Sequence, residues 1–317
     1  MRAKVLITPR SFLKVKEQAQ NLLKRYDLDL IYNDTGKTLT EEQMLKMCED
    51  VDGLIVGIDP VTEKVLKNAR KLKAISKYGA GLDNIDLKTA RELGIKVASA
   101  AGTNATSVAE LAIGMFFALA RNLAKHVFLV KNGGWDRIQG VELTGKTAGI
   151  IGLGNIGKEV ARLANGIGMR IIAYDPYFED SEFLKKYDVK MASLESVFKE
   201  ADFVTLHVPL TEATAKIVNE NTLKLMKKTA YIVNTSRGGL IDEDALYEAL
   251  KNDKIAGAAS DVFSKEPPGF HKLLTLDNFL LTPHIGAYTA EAVEKMAIKS
   301  IENLVVLLFD EEMKSQA

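Results

Sequence analysis

Only four histidines occur in the chain, His126, His207, His271 and His284, and imidazole is the side chain that exchanges protons near neutral pH. His284 stands in "LLTPHIGAYT", between Pro283 and Ile285-Gly286, where an apolar run ends. His207 ends another such run in "FVTLHVPLT". His126 falls on a predicted helix, and His271 lies in a loop after Pro267, Pro268 and Gly269. Both read as ordinary structural residues. Arg237 in "YIVNTSRGG" carries a planar donor fork suited to a carboxylate, and Asp261 in "GAASDVF" and Glu266 in "SKEPP" carry carboxylates. Each also fits a plain role, as a turn, a cap or a solvated charge. Spacing alone leaves His207 and His284 as rivals for the proton.

A second chemistry is written in "TAGIIGLGNIGKEVARLA", residues 147–164. A strand runs into Gly152-x-Gly154-x-x-Gly157 and straight into an amphipathic helix that begins with Asn155 and Ile156. The first glycine permits the tight turn, the second lets a pyrophosphate approach the backbone, and the third lets helix and strand pack closely. Unpaired N–H groups at the helix start favour phosphate. The next strand, "RIIAYD", ends at Asp175, near the position from which a carboxylate accepts both ribose hydroxyls. That acid opposes a 2′-phosphate, and "PYFED" after it has no arginine. The pattern predicts NAD rather than NADP.

These residues must be held by something. Strand-like runs at 3–8, 52–57, 72–78 and 96–100 alternate with helical stretches at 11–25, 41–49, 61–69 and 87–93. A second series, 147–152, 170–175, 203–208, 230–236, 255–262 and 279–283, again has helices between, as at 156–167 and 243–251. Such alternation predicts parallel sheets built from βαβ units, in an α/β fold of two doubly wound domains. Segment 290–309 carries a helical apolar stripe at 293, 296, 297, 301, 304, 305 and 308 and has no strand of its own to serve. It is expected to return to the first domain. The predicted division is therefore 1–100 with 288–317, discontinuous, and 101–287 as the inserted dinucleotide domain.

At 317 residues, with 47% hydrophobic and 26% charged, the composition is globular and long enough for two cores. Lys plus Arg and Asp plus Glu balance at 42 each, so no basic field recruits nucleic acid or an anionic membrane. The lone Cys48 excludes an internal disulfide and fits a reducing cytosol. The most apolar run, 108–120, includes Glu110 and is shorter than the roughly 20 residues a membrane span requires. It reads as a buried helix of a soluble protein, with Ser107 and Glu110 at capping-box spacing.

The segments "KYGAGLDNID", "NATSVAELAIGM", "GLGNIG", "LHVPLT", "NTSRGGLIDEDAL", "DVFSKEPP" and "TPHIGA" together resemble the NAD-dependent D-2-hydroxyacid dehydrogenases, nearest the phosphoglycerate dehydrogenase branch. The resemblance runs from the first strand to the last helix. It implies a Rossmann-type NAD domain inserted into a flavodoxin-like substrate domain, and it assigns the active site to Arg237, Glu266 and His284. His207 would then line the cofactor side. The implied cofactor contacts are Gly152, Gly154, Asn155, Ile156, Gly157, Asp175, His207, Val208, Thr235, Ser236, Asp261 and Gly286. The implied substrate contacts are Arg237 and the backbone at Ala80 and Gly81. A homodimer through the apolar 105–140 region is also implied, with no metal.

The chemistry suits those residue types. Reducing a 2-oxo acid requires a cation for the carboxylate, a proton for the carbonyl oxygen and a hydride from NADH. Arg237 suits the first and His284 the second, with Glu266 orienting the imidazolium. One departure concerns the substrate. Phosphoglycerate-specific relatives commonly place an arginine where "DGLIVGID" has Gly57, which leaves Lys77 and Arg137 as alternative cations. A dinucleotide-sensing corepressor and a phosphite or formate dehydrogenase are the alternatives on the same scaffold.

Overall fold

A computed structural model describes residues 2–26 and 28–314. The chain divides into two units, Met1–Asn104 with Ala287–Ala317, and Ala105–Gly286. The first is built on strands β1 (Ala3–Ile7), β2 (Leu28–Tyr32), β3 (Gly53–Val56), β4 (Ala74–Lys77) and β5 (Lys96–Ser99), in the order β2-β1-β3-β4-β5. All its pairs are parallel. Helices α1 (Lys16–Leu23), α2 (Glu41–Cys48), α3 (Glu63–Asn68) and α4 (Leu87–Glu92) make the crossovers. This is the doubly wound order. The stretch expected as one helix over 11–25 opens instead as a 3₁₀ turn, Arg10–Val15, before α1.

The second unit begins with α5 (Ala105–Ala120) and α6 (Leu123–Lys131). Its sheet comprises β6 (Thr147–Ile151), β7 (Arg170–Tyr174), β8 (Val189–Met191), β9 (Phe203–Leu206), β10 (Tyr231–Asn234), β11 (Gly257–Ser260) and β12 (Phe279–Leu281). The order β12-β11-β10-β9-β6-β7-β8 reverses direction between β6 and β9, which is the switch point where open sheets take ligands. Helices α7 (Asn155–Gly166), α8 (Ser181–Lys186), α9 (Leu194–Glu200), α10 (Glu220–Leu225) and α11 (Glu243–Lys251) flank it. One core lies under α5 and α7, with Phe116 against Phe203, and the other under α9 to α11.

The last helix, α12 (Ala290–Lys314), buries Val293, Met296, Ala297, Ile301, Leu304 and Val305 against Val5, Ile7 and Ile55 of the first sheet and Phe12 of the 3₁₀ turn. Each of these side chains except Ala297 contributes roughly 1.5–3 kcal/mol by leaving water. Among the described residues no single helix is long and apolar enough to cross a membrane. α5 has most of its surface buried, as expected. Its predicted capping box does not form, because the Ser107 hydroxyl donates to the Gly286 carbonyl instead, at 2.6 Å.

Candidate active site

The second unit gathers its polar residues at the carboxyl ends of its strands. β6 ends in Gly152, held at φ 97°, where a side chain would strike the carbonyl of His207. Gly157 lies so close to the Gly152 carbonyl that a Cβ there would sit 1.9 Å from its oxygen. Strand and helix can meet this tightly only without side chains. Gly154, between them, is different: a Cβ there would meet nothing within 4 Å. Gly154 also serves as the N-cap of α7 and offers no side-chain cap, so the amides of Asn155 and Ile156 stand at an uncapped helix start. Asp175, following β7, accepts from Leu153 N at 2.8 Å and from Tyr177 N at 2.9 Å, which ties the glycine loop to the neighbouring strand.

Across the switch point the register sets His207, Thr235, Asp261 and Thr282 in one row, each directly following the paired residues of β9, β10, β11 and β12. His207 Nδ1 and Thr235 Oγ1 are shielded from solvent and have no hydrogen-bond partner. Shielded polar atoms left unmade cost free energy, so two side by side mark a place for a polar ligand. Ser236 closes the row by donating from Oγ to the Val208 carbonyl at 2.8 Å. The open cradle at Gly154, the uncapped helix and the unpaired atoms together fit the phosphates and polar groups of a dinucleotide.

Asp261 is 1% exposed, and its carboxylate is spent within the protein. It accepts from Thr282 Oγ1 at 2.5 Å, Ile285 N at 2.8 Å and Gly286 N at 2.8 Å, while its carbonyl accepts from His284 N at 2.9 Å. This clamp holds His284 at φ 52°, a left-handed conformation that costs a non-glycine residue about 1–2 kcal/mol. So fixed, His284 sets its Nδ1 2.7 Å from Glu266 Oε2. The other oxygen of Glu266 accepts from Phe263 N at 3.0 Å. Burial pushes the Glu266 carboxyl upward, and His284, the Phe263 amide and the Arg237 charge outweigh it, holding its pKa below the usual value.

Arg237 follows β10 in the same unit and is half-buried, with Nη1 donating to the Ser236 carbonyl at 2.7 Å. Gly238 explains why the arginine segment comes so near the Glu266 loop: a Cβ there would lie 1.9 Å from the Phe263 carbonyl carbon. Only glycine permits that approach. Arg237, Glu266 and His284 therefore share one rim. His207 is poorly suited to carry a proton near neutral pH, since burial lowers its pKa to about 3 and its Nε2 is engaged with Thr205 Oγ1 at 2.9 Å.

In the first unit, Ala80 is exposed and Gly81 half-buried in the loop after β4. Lys77 is buried, with Nζ bonded to the Gly57 carbonyl and, at 2.6 Å, to Asn84 Oδ1. That lysine is engaged in supporting the strand ends. Gly57 itself leaves ordinary van der Waals room, its added Cβ lying 3.6 Å from Asp59 Oδ2 and Pro9. Gly238 was not legible as a contributor, because its neighbours Phe263 and Ser264 stand on a distant loop of the chain.

Residues 113–286 match the model of the D-isomer specific 2-hydroxyacid dehydrogenase, NAD binding domain. Hydroxypyruvate reductase of Thermotoga maritima is 44% identical over 295 residues, covering 91% of this chain and 94% of the relative. D-3-phosphoglycerate dehydrogenase of Methanocaldococcus jannaschii is 49% identical over 258 residues, covering 80% of this chain but 49% of the relative, so this chain spans about half of that protein. Apo D-lactate dehydrogenase of Escherichia coli shares the fold with a TM-score of 0.83 and 32% identity, covering 96% of each chain. The chain belongs to the D-isomer specific 2-hydroxyacid dehydrogenase family. It is an NAD-dependent oxidoreductase, and these relatives do not favour the corepressor or phosphite and formate alternatives.

Proposed function

We propose that the chain reduces short, unphosphorylated 2-oxo acids to D-2-hydroxy acids, with Arg237, Glu266 and His284 as its catalytic residues. The observation that carries this reading is the 2.7 Å contact of His284 with Glu266, on the rim that also holds Arg237 and the glycine cradle. Arg237 grips the substrate carboxylate and polarises the carbonyl. His284 delivers a proton to the oxygen as charge develops there, and Glu266 keeps the ring oriented and the imidazolium stabilised. NADH, when bound, supplies the hydride. The cofactor is held by Gly152, Gly154, Asn155, Ile156, Gly157 and Asp175, with His207, Val208, Thr235, Ser236 and the Asp261–Gly286 turn on its other side. The backbone at Ala80 and Gly81 takes part in holding the substrate carboxylate.

The absence of a cation at Gly57 and the internal engagement of Lys77 support an unphosphorylated substrate, in keeping with the hydroxypyruvate reductase relative. Exposed Phe128, Val127, Trp135, Ile138 and Val141 on α6 and the following arm support a homodimer through that face. Buried, unpaired Cys48 suits a reducing cytosol. Steady-state rates with NADH on hydroxypyruvate, glyoxylate, pyruvate and phosphohydroxypyruvate test the substrate. Preference for the phosphorylated acid would reject it. Light scattering tests the dimer.

A further inference from the structure

We propose that Glu243 is a positioning residue for the Glu266–His284 pair, a role that rests on the catalytic reading of that pair. Glu243 opens α11 directly after its N-cap, Asp242. An acid in a first helical turn ordinarily does no more than complement the helix dipole from solvent. This one is mostly buried and reaches elsewhere. Its Oε1 accepts from Ser264 N at 2.8 Å, and its Oε2 lies 3.2 Å from His271 Nε2. Ser264 and His271 are the two ends of the segment "SKEPPGFH", and Glu266 is the third residue within it. A single carboxylate thus closes the loop that carries the partner of His284.

Between its ends, residues 265–270 make no backbone–backbone hydrogen bond among the described residues. Pro267 and Pro268 have no amide hydrogen, Gly269 sits at φ 61°, and Phe270 is 98% exposed. His271 Nδ1 accepts from Leu273 N at 3.3 Å, so the ring proton is on Nε2 and points at Glu243. The His271 ring also meets Phe263 edge-on at 5.7 Å. Phe263 is the residue whose amide holds the second oxygen of Glu266. Both routes from Glu243 therefore end on the Glu266 carboxylate. The charged groups around His284 itself are Glu266, Asp261 and, through Glu266, Arg237.

The test compares Glu243→Ala, Glu243→Gln and His271→Gln with wild type, using NADH and hydroxypyruvate as probes. Glu243→Ala is expected to lower kcat roughly 10- to 100-fold by loosening the pair, with KM for NADH unchanged. Its pH–rate limb should move toward that of Glu266→Gln, and adding it to Glu266→Gln should move the limb no further. Glu243→Gln keeps one acceptor oxygen and should fall between, which keeps the test alive if the alanine variant does not fold. NMR titration of the His284 ring reads the positioning without turnover. A shifted titration in Glu243→Gln, together with normal turnover in His284→Ala, would sustain the positioning and reject only the catalytic reading. A wild-type pH limb and ring titration in both Glu243 variants would overturn the proposal.

Discussion

Glu266 Oε2 lies 2.7 Å from Nδ1 of His284, which leaves Nε2 as the ring nitrogen that this carboxylate does not engage. The contact joins two turns from different strand ends, one clamped by Asp261 and the other by Glu243. From it follows the first prediction. His284→Ala should lower kcat for reduction by roughly 10²–10⁴ while leaving NADH binding intact. On that reading reduction consumes the protonated ring, so its rate should fall as pH rises, and oxidation should show the opposite limb. Glu266→Gln removes the adjacent negative charge and should move both limbs to lower pH. Near-normal turnover in His284→Ala would reject the assignment.

The lowered pKa of Glu266 has its own consequence for stability. A carboxylate favoured in the folded state stabilises it above the unfolded glutamate pKa, about 4.3. That contribution fades as pH falls through the lower folded value. His207 acts in a higher window. Its folded pKa of about 3 lies below the reference of about 6.5, so between those values the unfolded chain binds the extra proton. Stability should be full above about pH 6.5 and decline toward pH 3. Urea midpoints of the cofactor-free protein should therefore drop less between pH 6.5 and 5 in His207→Gln than in wild type. The kinetic limbs of His284 should not move in that variant. If instead they vanish, His207 is the acid.

How much of this was legible beforehand depended on how far apart the partners lie. The glycine loop, its helix and Asp175 form a local pattern, and β6, α7 and β7 follow it directly. The central strands announced themselves as β-branched runs because both their faces are buried. Of the four edge strands, β5 and β12 were still legible, but two were not: β2 reads Leu-Asp-Leu-Ile-Tyr, and β8 is three residues with a lysine in the middle. Asp261 stood out as a strand-end acid, yet its amide partners at Ile285 and Gly286 come from the next strand's turn. Ser107 looked like a cap because Glu110 stands at the right spacing, and only tertiary packing offers it the Gly286 carbonyl. Glu243 was not legible at all, because its partners Ser264 and His271 lie on a loop well beyond its own helix.

Asp175 should set the cofactor preference and also brace the loop that binds it. Its carboxylate holds the Leu153 and Tyr177 amides, so Asp175→Ala removes a tether on the glycine turn together with the proposed ribose partner. The variant should bind NADH more weakly and discriminate less against NADPH, with its NADPH rate rising little because the loop has lost support. Asp175→Asn keeps one acceptor for an amide and should lose less NADH affinity than the alanine variant. Comparable kcat/KM for NADH and NADPH in the wild type would contradict the role of this acid.

The substrate prediction turns on Gly57. No side chain there means no guanidinium at the end of β3, and Lys77 beside it is committed to the Gly57 carbonyl and Asn84. The position nevertheless accepts a side chain. Its backbone is not left-handed, and an added Cβ would meet Asp59 Oδ2 and Pro9 at 3.6 Å, ordinary contact distances. Gly57→Arg should therefore fold, with Asp59 near the base of the new side chain. Asp59 already accepts from Thr8 Oγ1 and from Leu39 N at 2.7 Å, so it competes with a phosphate for the guanidinium with its oxygens partly occupied. The variant should raise kcat/KM for phosphohydroxypyruvate by roughly 10-fold or more, since a charge-assisted contact is worth about 1.5–3 kcal/mol. Rates on hydroxypyruvate and glyoxylate should change little. The gain should shrink as ionic strength rises, because it is electrostatic. Efficient turnover of the phosphorylated acid by the unaltered chain would mean that another cation, Arg137 among them, already meets the phosphate, and the specificity argument at Gly57 would fail.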